Sequence, residues 1–212
     1  MARAKTTSPW MRRHLRDPYV KQAASRGYRS RAAFKLQELD RRERLMRPGM
    51  LIVDLGAAPG GWSQVALEKV GATGRVVAID LQSIDLLPKV AFIQGDVRAE
   101  AVRCSIEQAL GGRRADLVLS DMAPNLSGVK PVDEARSQEL VGVAMDTARR
   151  VLKPGGTLLV KLFHGSGLDA VIRQLKGMFA EVGIRKPPAS RSESSEVYAV
   201  CRRLLPESRA SL

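Results

Sequence analysis

Apolar and polar positions along the chain fall into two alternating patterns. Residues 1–29 read as irregular or partly helical. The stretch SRAAFKLQELDRRERL then places Ala32, Leu36 and Leu39 at i, i+4, i+7 behind Ser30, a candidate N-cap, which predicts an amphipathic helix. RPGM breaks it, and LIVDLG follows as a continuous apolar strand. A helix is predicted from about Trp62 to Val70, strands at RVVAIDL and VAFIQGD, a helix from about Ala99 to Leu110, and a strand at ADLVLSD. After a polar loop come a helix over Glu134–Leu152 closed by KPGG, a strand at TLLVKLF, a helix over Leu168–Phe179 and a late strand in SSEVYAVCRRL. Strands that are apolar throughout and alternate with helices predict a parallel sheet covered on both faces. The expected fold is therefore α/β and doubly wound, a Rossmann-like domain over 30–212 carrying a basic extension over 1–29.

Composition narrows the class. The chain has 212 residues, enough for one domain with a real core, and 44% apolar with 27% charged residues is a globular balance. Asp54, Asp80, Asp121 and Lys161 interrupt the hydrophobic runs, so none approaches the ~18 residues of a membrane span. The basic N-terminus lacks a following apolar region, so no secretory signal is read, and a cytoplasmic protein is expected. Cys104 and Cys201 provide neither a disulfide framework nor a metal cluster, and no metal is expected.

Charge adds a partner. The net charge is +13, and residues 1–50 hold 14 Lys/Arg against four acids while the remainder is nearly balanced. A basic segment on a balanced body predicts a polyanion, most simply nucleic acid. Arg12, Arg13, Arg16, Lys21, Arg26, Arg29 and Arg31 are the candidate phosphate contacts.

The first strand-to-helix turn, DLGAAPGGWSQ, suggests a small-molecule site. Gly56 permits a tight turn, and Ala58, Gly60 and Gly61 leave room for a ligand against the helix N-terminus. The spacing G-A-A-P-G-G departs from the dinucleotide pattern, and Pro59 has no N–H to offer a pyrophosphate. Asp54, Asp80, Asp96 and Asp121 follow successive strand ends, where ligands of such sheets bind. Singly, each fits a loop or cap role. Together they suit a cationic, phosphate-free nucleoside such as S-adenosylmethionine better than a nicotinamide dinucleotide.

One lysine looks out of place. Lys161 follows the buried run Thr157–Val160, where a charged amine is costly to desolvate. Read alone, it snorkels to solvent, Lys35 is an exposed helix lysine and Glu196 an edge-strand charge.

SRAAFKLQELD, VDLGAAPGGWSQ, VVAIDL, FIQGDVR, LVLSDMAPNLSG, GTLLVKLFHG and SSEVYAV, in this order from about Tyr19 to Leu204, resemble the FtsJ/RrmJ (RlmE) family of ribosomal RNA large subunit ribose 2′-O-methyltransferases. The resemblance implies a class I methyltransferase with a seven-stranded sheet, parallel except for one strand. Six strands are read directly, so a seventh is expected near Gly183–Pro187. It also implies a catalytic set of Lys35, Asp121, Lys161 and Glu196, and cofactor contacts at Gly60, Trp62, Asp80, Asp96 and Asp121. The implied cofactor is S-adenosylmethionine, leaving as S-adenosylhomocysteine. The implied substrate is a uridine ribose in the A-loop of 23S rRNA within the large ribosomal subunit, methylated by a monomer. A ribose 2′-hydroxyl is a weak nucleophile, so the transfer needs alignment and a destination for its proton. The residues leave open whether a lysine takes that proton or only positions the hydroxyl. Rival readings are a methyltransferase acting on tRNA or another RNA, and a non-catalytic rRNA-binding assembly factor. The intact four-residue set argues against the second.

Overall fold

A computed structural model describes residues 17–125, 127–191 and 194–206. Seven strands form one sheet: β1 (Leu51–Leu55), β2 (Arg75–Asp80), β3 (Val90–Gln94), β4 (Ala115–Ser120), β5 (Leu152–Phe163), β6 (Phe179–Arg185) and β7 (Glu196–Leu204). Six helices accompany them: α1 (Pro18–Ser25), α2 (Ala32–Glu43), α3 (Gly61–Val70), α4 (Glu100–Leu110), α5 (Lys130–Val151) and α6 (Leu168–Met178). The strand order is β3-β2-β1-β4-β5-β7-β6. β1 to β5 pair in parallel, and β7 runs antiparallel to both β5 and β6. This is the expected seven-stranded sheet with a single reversed strand.

The period of two along each strand sorts side chains between two cores. Leu51, Val53 and Leu55 of β1 join α4, α5 and α6 on one face through Ile106, Ala144, Val171 and their neighbours. Ile52 faces the other way, into a cluster built from Leu36 and Leu39 of α2 and Trp62 and Val65 of α3. The same alternation sends Leu158, Val160 and Leu162 of β5 to the first face and Leu159 to the second. On β7, Val197, Ala199 and Cys201 take the first face, Tyr198 and Val200 the second. Lys161, Glu196 and Tyr198 therefore point to the α2 side of the sheet.

Element boundaries differ from the sequence reading in several places, most at β5, which begins at Leu152 and takes in the KPGG expected to close the preceding helix. α5 begins at Lys130 rather than Glu134, because Pro131 occupies a first-turn position that proline suits. The seventh strand starts at Phe179, directly after α6, four residues earlier than expected. Residues 17–29 are built into the body. Asp17 caps α1 through Tyr19 N–H (3.0 Å) and pairs with Arg31 (3.0 Å) and Arg191 (3.3 Å), while Ala23 packs against Phe34 and Ala189.

Candidate active site

Strand order reverses between β1 and β4, and a crevice forms outside the carboxyl ends of the strands at such a point. A cavity of about 410 Å³ lies there, lined by the turn after β1, the loops after β2 and β3, residues Asp121–Asn125, and Leu140 and Val143 of α5. Its size suits a small-molecule ligand. Gly56, at φ +74°, sits so close to the next loop that a Cβ would lie 2.7 Å from Met122 Cγ. Asp80 ties the turn to β2, its two carboxylate oxygens accepting N–H bonds from Ala58 and Gln82, both 2.8 Å. Asp96 is gripped by the Arg98 side chain (2.7 Å) and backbone N–H (2.9 Å), which hold its carboxyl below the ordinary range. Asp121 completes the set of lining carboxylates. Arg98, the lining cation, is engaged by Asp96 and Glu139, so the wall is acidic.

That donor set fits S-adenosylmethionine. The carboxylates favour a cationic ligand, Pro59 withholds an amide from any pyrophosphate, and apolar Ile79, Val97 and Leu140 supply dispersion contact. Asp80, Asp96 and Asp121 would hold the cofactor, with the turn from Gly56 to Pro59 closing over it. Gly60 and Trp62 stand outside the lining. Gly60, at φ +109°, caps α3, and the Trp62 indole N–H donates to Ala32 O (2.8 Å) from a buried position. Among the described residues, no group of three or more His, Cys, Asp or Glu is arranged to hold a metal ion.

Asp54, grouped by sequence with the other strand-end acids, does not line the cavity. It is wholly buried, one oxygen accepting the Ser63 hydroxyl (2.6 Å) and Oδ1 having no partner. Burial pushes its carboxyl up to about 7; the Ser63 hydrogen bond opposes this, and the charges of Asp121 and Asp80 add to it.

Beside the cavity, Lys35, Asp121, Lys161 and Glu196 come together from α2, the loop after β4, β5 and β7. Lys161 Nζ donates to Asp121 O (2.6 Å) and Asp121 Oδ1 (3.0 Å). Lys35 Nζ pairs with Glu196 Oε1 at 2.6 Å. Lys161, Lys35 and Glu196 are each only 8% exposed, which is rare for charged residues unless they are paired. Tyr198, two residues beyond Glu196 and opposite Lys161 on the neighbouring strand, links the pairs. Its hydroxyl donates to Asp121 Oδ1 (2.8 Å), and Lys35 Nζ lies 6.0 Å from its ring centre. Burial, then the charges of Asp121 and Glu196, push its phenol well above the ordinary value, so it remains a neutral donor. The sequence reading assigned Tyr198 no role. The signal was its period-two spacing from Glu196, which puts both on one face.

The arginine-rich segment is partly occupied elsewhere. Arg12, Arg13 and Arg16 lie outside the described residues. Lys21 is exposed on α1, and the Arg26 guanidinium lies 5.7 Å from the Phe34 ring centre. Arg29 donates to the carbonyls of Pro59 (3.3 Å), Asp85 (2.6 Å) and Leu86 (3.2 Å), fastening the glycine turn to the loop after β2. Arg31 donates to Ala189 O (2.6 Å) and pairs with Asp17. Arg29 and Arg31 thus hold the protein's own carbonyls and carboxylate.

The model of the FtsJ-like methyltransferase family matches residues 28–204, the span that holds this cavity and all four polar residues. The chain belongs to that family. Two curated relatives, each named ribosomal RNA large subunit methyltransferase E, extend the match. The protein from Cellvibrio japonicus is 54% identical, covering 94% of this chain and 95% of its own. That from Pseudomonas aeruginosa is 50% identical, covering 95% and 98%. A Plasmodium falciparum structure described as a ribosomal RNA methyltransferase aligns with TM-score 0.76 and 34% identity, covering 84% of this chain and 99% of that one. Aeropyrum pernix fibrillarin, solved with natively bound S-adenosyl-L-methionine, shares the fold at TM-score 0.55 and 16% identity. This FtsJ-like protein is thus a methyltransferase by family.

Proposed function

We propose that this FtsJ-like protein transfers a methyl group from S-adenosylmethionine to the ribose 2′-hydroxyl of a uridine in the A-loop of 23S rRNA, on the large ribosomal subunit in the cytoplasm. The observation that carries the reading is Lys161 Nζ, held by two acceptors of Asp121 where Asp121 also walls the cavity. The names of the curated relatives support the large-subunit rRNA substrate, and the sequence resemblance supports the uridine and the A-loop. All four polar residues come from one chain, so the reading requires only a monomer.

S-adenosylmethionine, when bound, supplies an electrophilic methyl on a sulfonium. Asp121 occupies two donor directions of Lys161 Nζ and leaves a third for the incoming 2′-oxygen. A nitrogen so fixed aligns the hydroxyl and stabilises negative charge that develops on its oxygen as the proton departs to solvent. Lys35, braced by Glu196, places a second cation 6.0 Å from the Tyr198 ring centre. The Tyr198 hydroxyl holds Asp121 in place without competing for the proton. Since only RNA carries a 2′-hydroxyl, the reactive group itself selects RNA.

The test is tritiated-methyl transfer to large subunits and to protein-free rRNA, with the modified nucleotide mapped. Lys161→Ala should lower transfer by about 10²–10³-fold, the usual effect of removing one donor that stabilises developing negative charge. S-adenosylhomocysteine affinity, read by calorimetry, should change no more than about threefold. Undiminished transfer by the variant refutes the role of Lys161, and methylation mapped to a base refutes the hydroxyl chemistry.

A further inference from the structure

The edge of the sheet opposite the cavity, where β1, β4 and β5 begin, is also strongly basic, and none of the assigned chemistry uses it. α2 ends there, and the segment from Arg41 to Arg47 leads into β1 with Arg41, Arg42, Arg44 and Arg47 exposed. Contacts tie the neighbouring loops to the same place. Leu51 N–H donates to Asp116 Oδ2 (2.8 Å), Arg75 N–H donates to Met50 O (3.0 Å), and Lys153 pairs with Asp116 (2.5 Å).

The acids of this edge are taken. Asp40 accepts from Met46 N–H (2.8 Å) and pairs with Lys69 (2.9 Å). Glu43 is held by Arg185 (2.5 Å) and Arg202 (3.4 Å); burial raises its carboxyl, but these guanidinium groups outweigh that and keep it below the ordinary range. Asp116 is held by Lys153. Among the described residues, Arg41, Arg44, Arg47 and Arg113 have no carboxylate within ion-pair distance. These four guanidinium groups have no ion-pair partner, although the Asp116 carboxylate acts on Arg47 at longer range; the rim carries net positive charge, and a guanidinium is well matched to phosphate oxygens.

We infer that this rim is a second RNA-binding surface, which engages backbone phosphates of a segment of the large-subunit rRNA distinct from the one presented to Lys161. β1 alone separates the two edges by ~17 Å at about 3.3–3.4 Å per residue, so a short stem-loop seated at the active site need not reach the rim. A large folded RNA does. The inference rests on RNA being the substrate, but its test reads binding, so a failure of methyl transfer leaves it fully measurable.

The test combines Arg41→Gln, Arg44→Asn and Arg47→Gln. Asparagine is chosen at position 44 because Arg44 caps α2 at φ +52°, a conformation asparagine tolerates. Filter binding to protein-free 23S rRNA and to an isolated A-loop stem-loop is measured from 50 to 300 mM KCl. The variant should bind 23S rRNA at least tenfold more weakly at 100 mM KCl, with a log–log salt slope shallower by about 2–3, as expected for loss of three phosphate contacts. Stem-loop affinity, S-adenosylhomocysteine affinity and melting temperature should not change. The matching Arg→Lys triple variant, which keeps the charge, should retain the slope. An unchanged slope and affinity for 23S rRNA overturns the inference. So does weakening confined to intact subunits, measured in the same way, which would identify an acidic protein surface as the partner. Should the triple variant melt early, Arg113→Gln on a separate loop gives the same readout, with a slope change of just under 1 expected.

Discussion

Asp54→Asn isolates the energetic effect of one buried carboxyl. The group is fully enclosed, one of its oxygens has no partner, and its carboxyl stands at about 7 instead of 3.8. The unfolded chain releases this proton near pH 4, while the folded protein keeps it until about pH 7. Between those values the folded state binds more protons, so rising pH erodes stability. The penalty is absent below about pH 4, grows to about pH 7 and is constant above it, reaching about 4 kcal/mol at 1.36 kcal/mol per tenfold. Asparagine has the same shape and no charge at any pH. The stability of the variant minus that of the wild type should therefore rise by about 3 kcal/mol between pH 5 and pH 8. Urea unfolding at half-unit pH intervals measures that difference, and titrating groups that do not interact with Asp54 cancel in the subtraction. A difference flat to within about 0.5 kcal/mol would mean that the carboxyl ionises in the folded protein as it does in the unfolded chain, and the reasoning from burial would fail.

Two further outcomes are expected. Arg29→Ala should free the loop after β2 from the glycine turn and raise the dissociation constant for S-adenosylhomocysteine about tenfold, or ~1.4 kcal/mol, in calorimetry without RNA; an unchanged constant would return Arg29 to a role in RNA contact. Gly56→Ala forces a side chain into φ +74° and against Met122, so cofactor affinity should fall and the melting temperature drop by about 2–8 °C, for a penalty of about 1–2 kcal/mol; a wild-type melt would show that the turn relaxes freely.

The sheet was largely legible because its strands are apolar runs and its helices carry 3.6-residue stripes. β6 escaped because FAEVGIR is an edge strand with exposed positions, attached directly to the last turn of α6. Its pattern merges with the helix before it. Lys35, Asp121, Lys161 and Glu196 were found through their surrounding motifs, and the alternation along β5 and β7 explains why Lys161 and Glu196 share a face. What sequence did not disclose is where the arginines point. A count of positive charge cannot tell that Arg29 lies within reach of three carbonyls, or that Asp40, Glu43 and Asp116 are each claimed by another cation. Likewise, Asp54 and Asp121 look equivalent as strand-end acids, and only packing shows that one is enclosed and the other opens to the cavity.

The reversal of β7 makes the site a gauge of strand register. Pairing Lys161 with Tyr198 and Phe163 with Glu196 sets both partners on the α2 face. A slip of one residue would turn Glu196 and Tyr198 together to the far side of the sheet, and would bring Val197 and Ala199 to the place where Lys35 and Asp121 expect a carboxylate and a hydroxyl. A hairpin at the edge of a sheet can often tolerate such sliding. Here a misaligned molecule keeps its cavity and its cofactor contacts but loses two of the groups around Lys161. On the proposed mechanism, correct assembly of the last strand and competence for transfer are thus a single event, and cofactor binding alone would not report it.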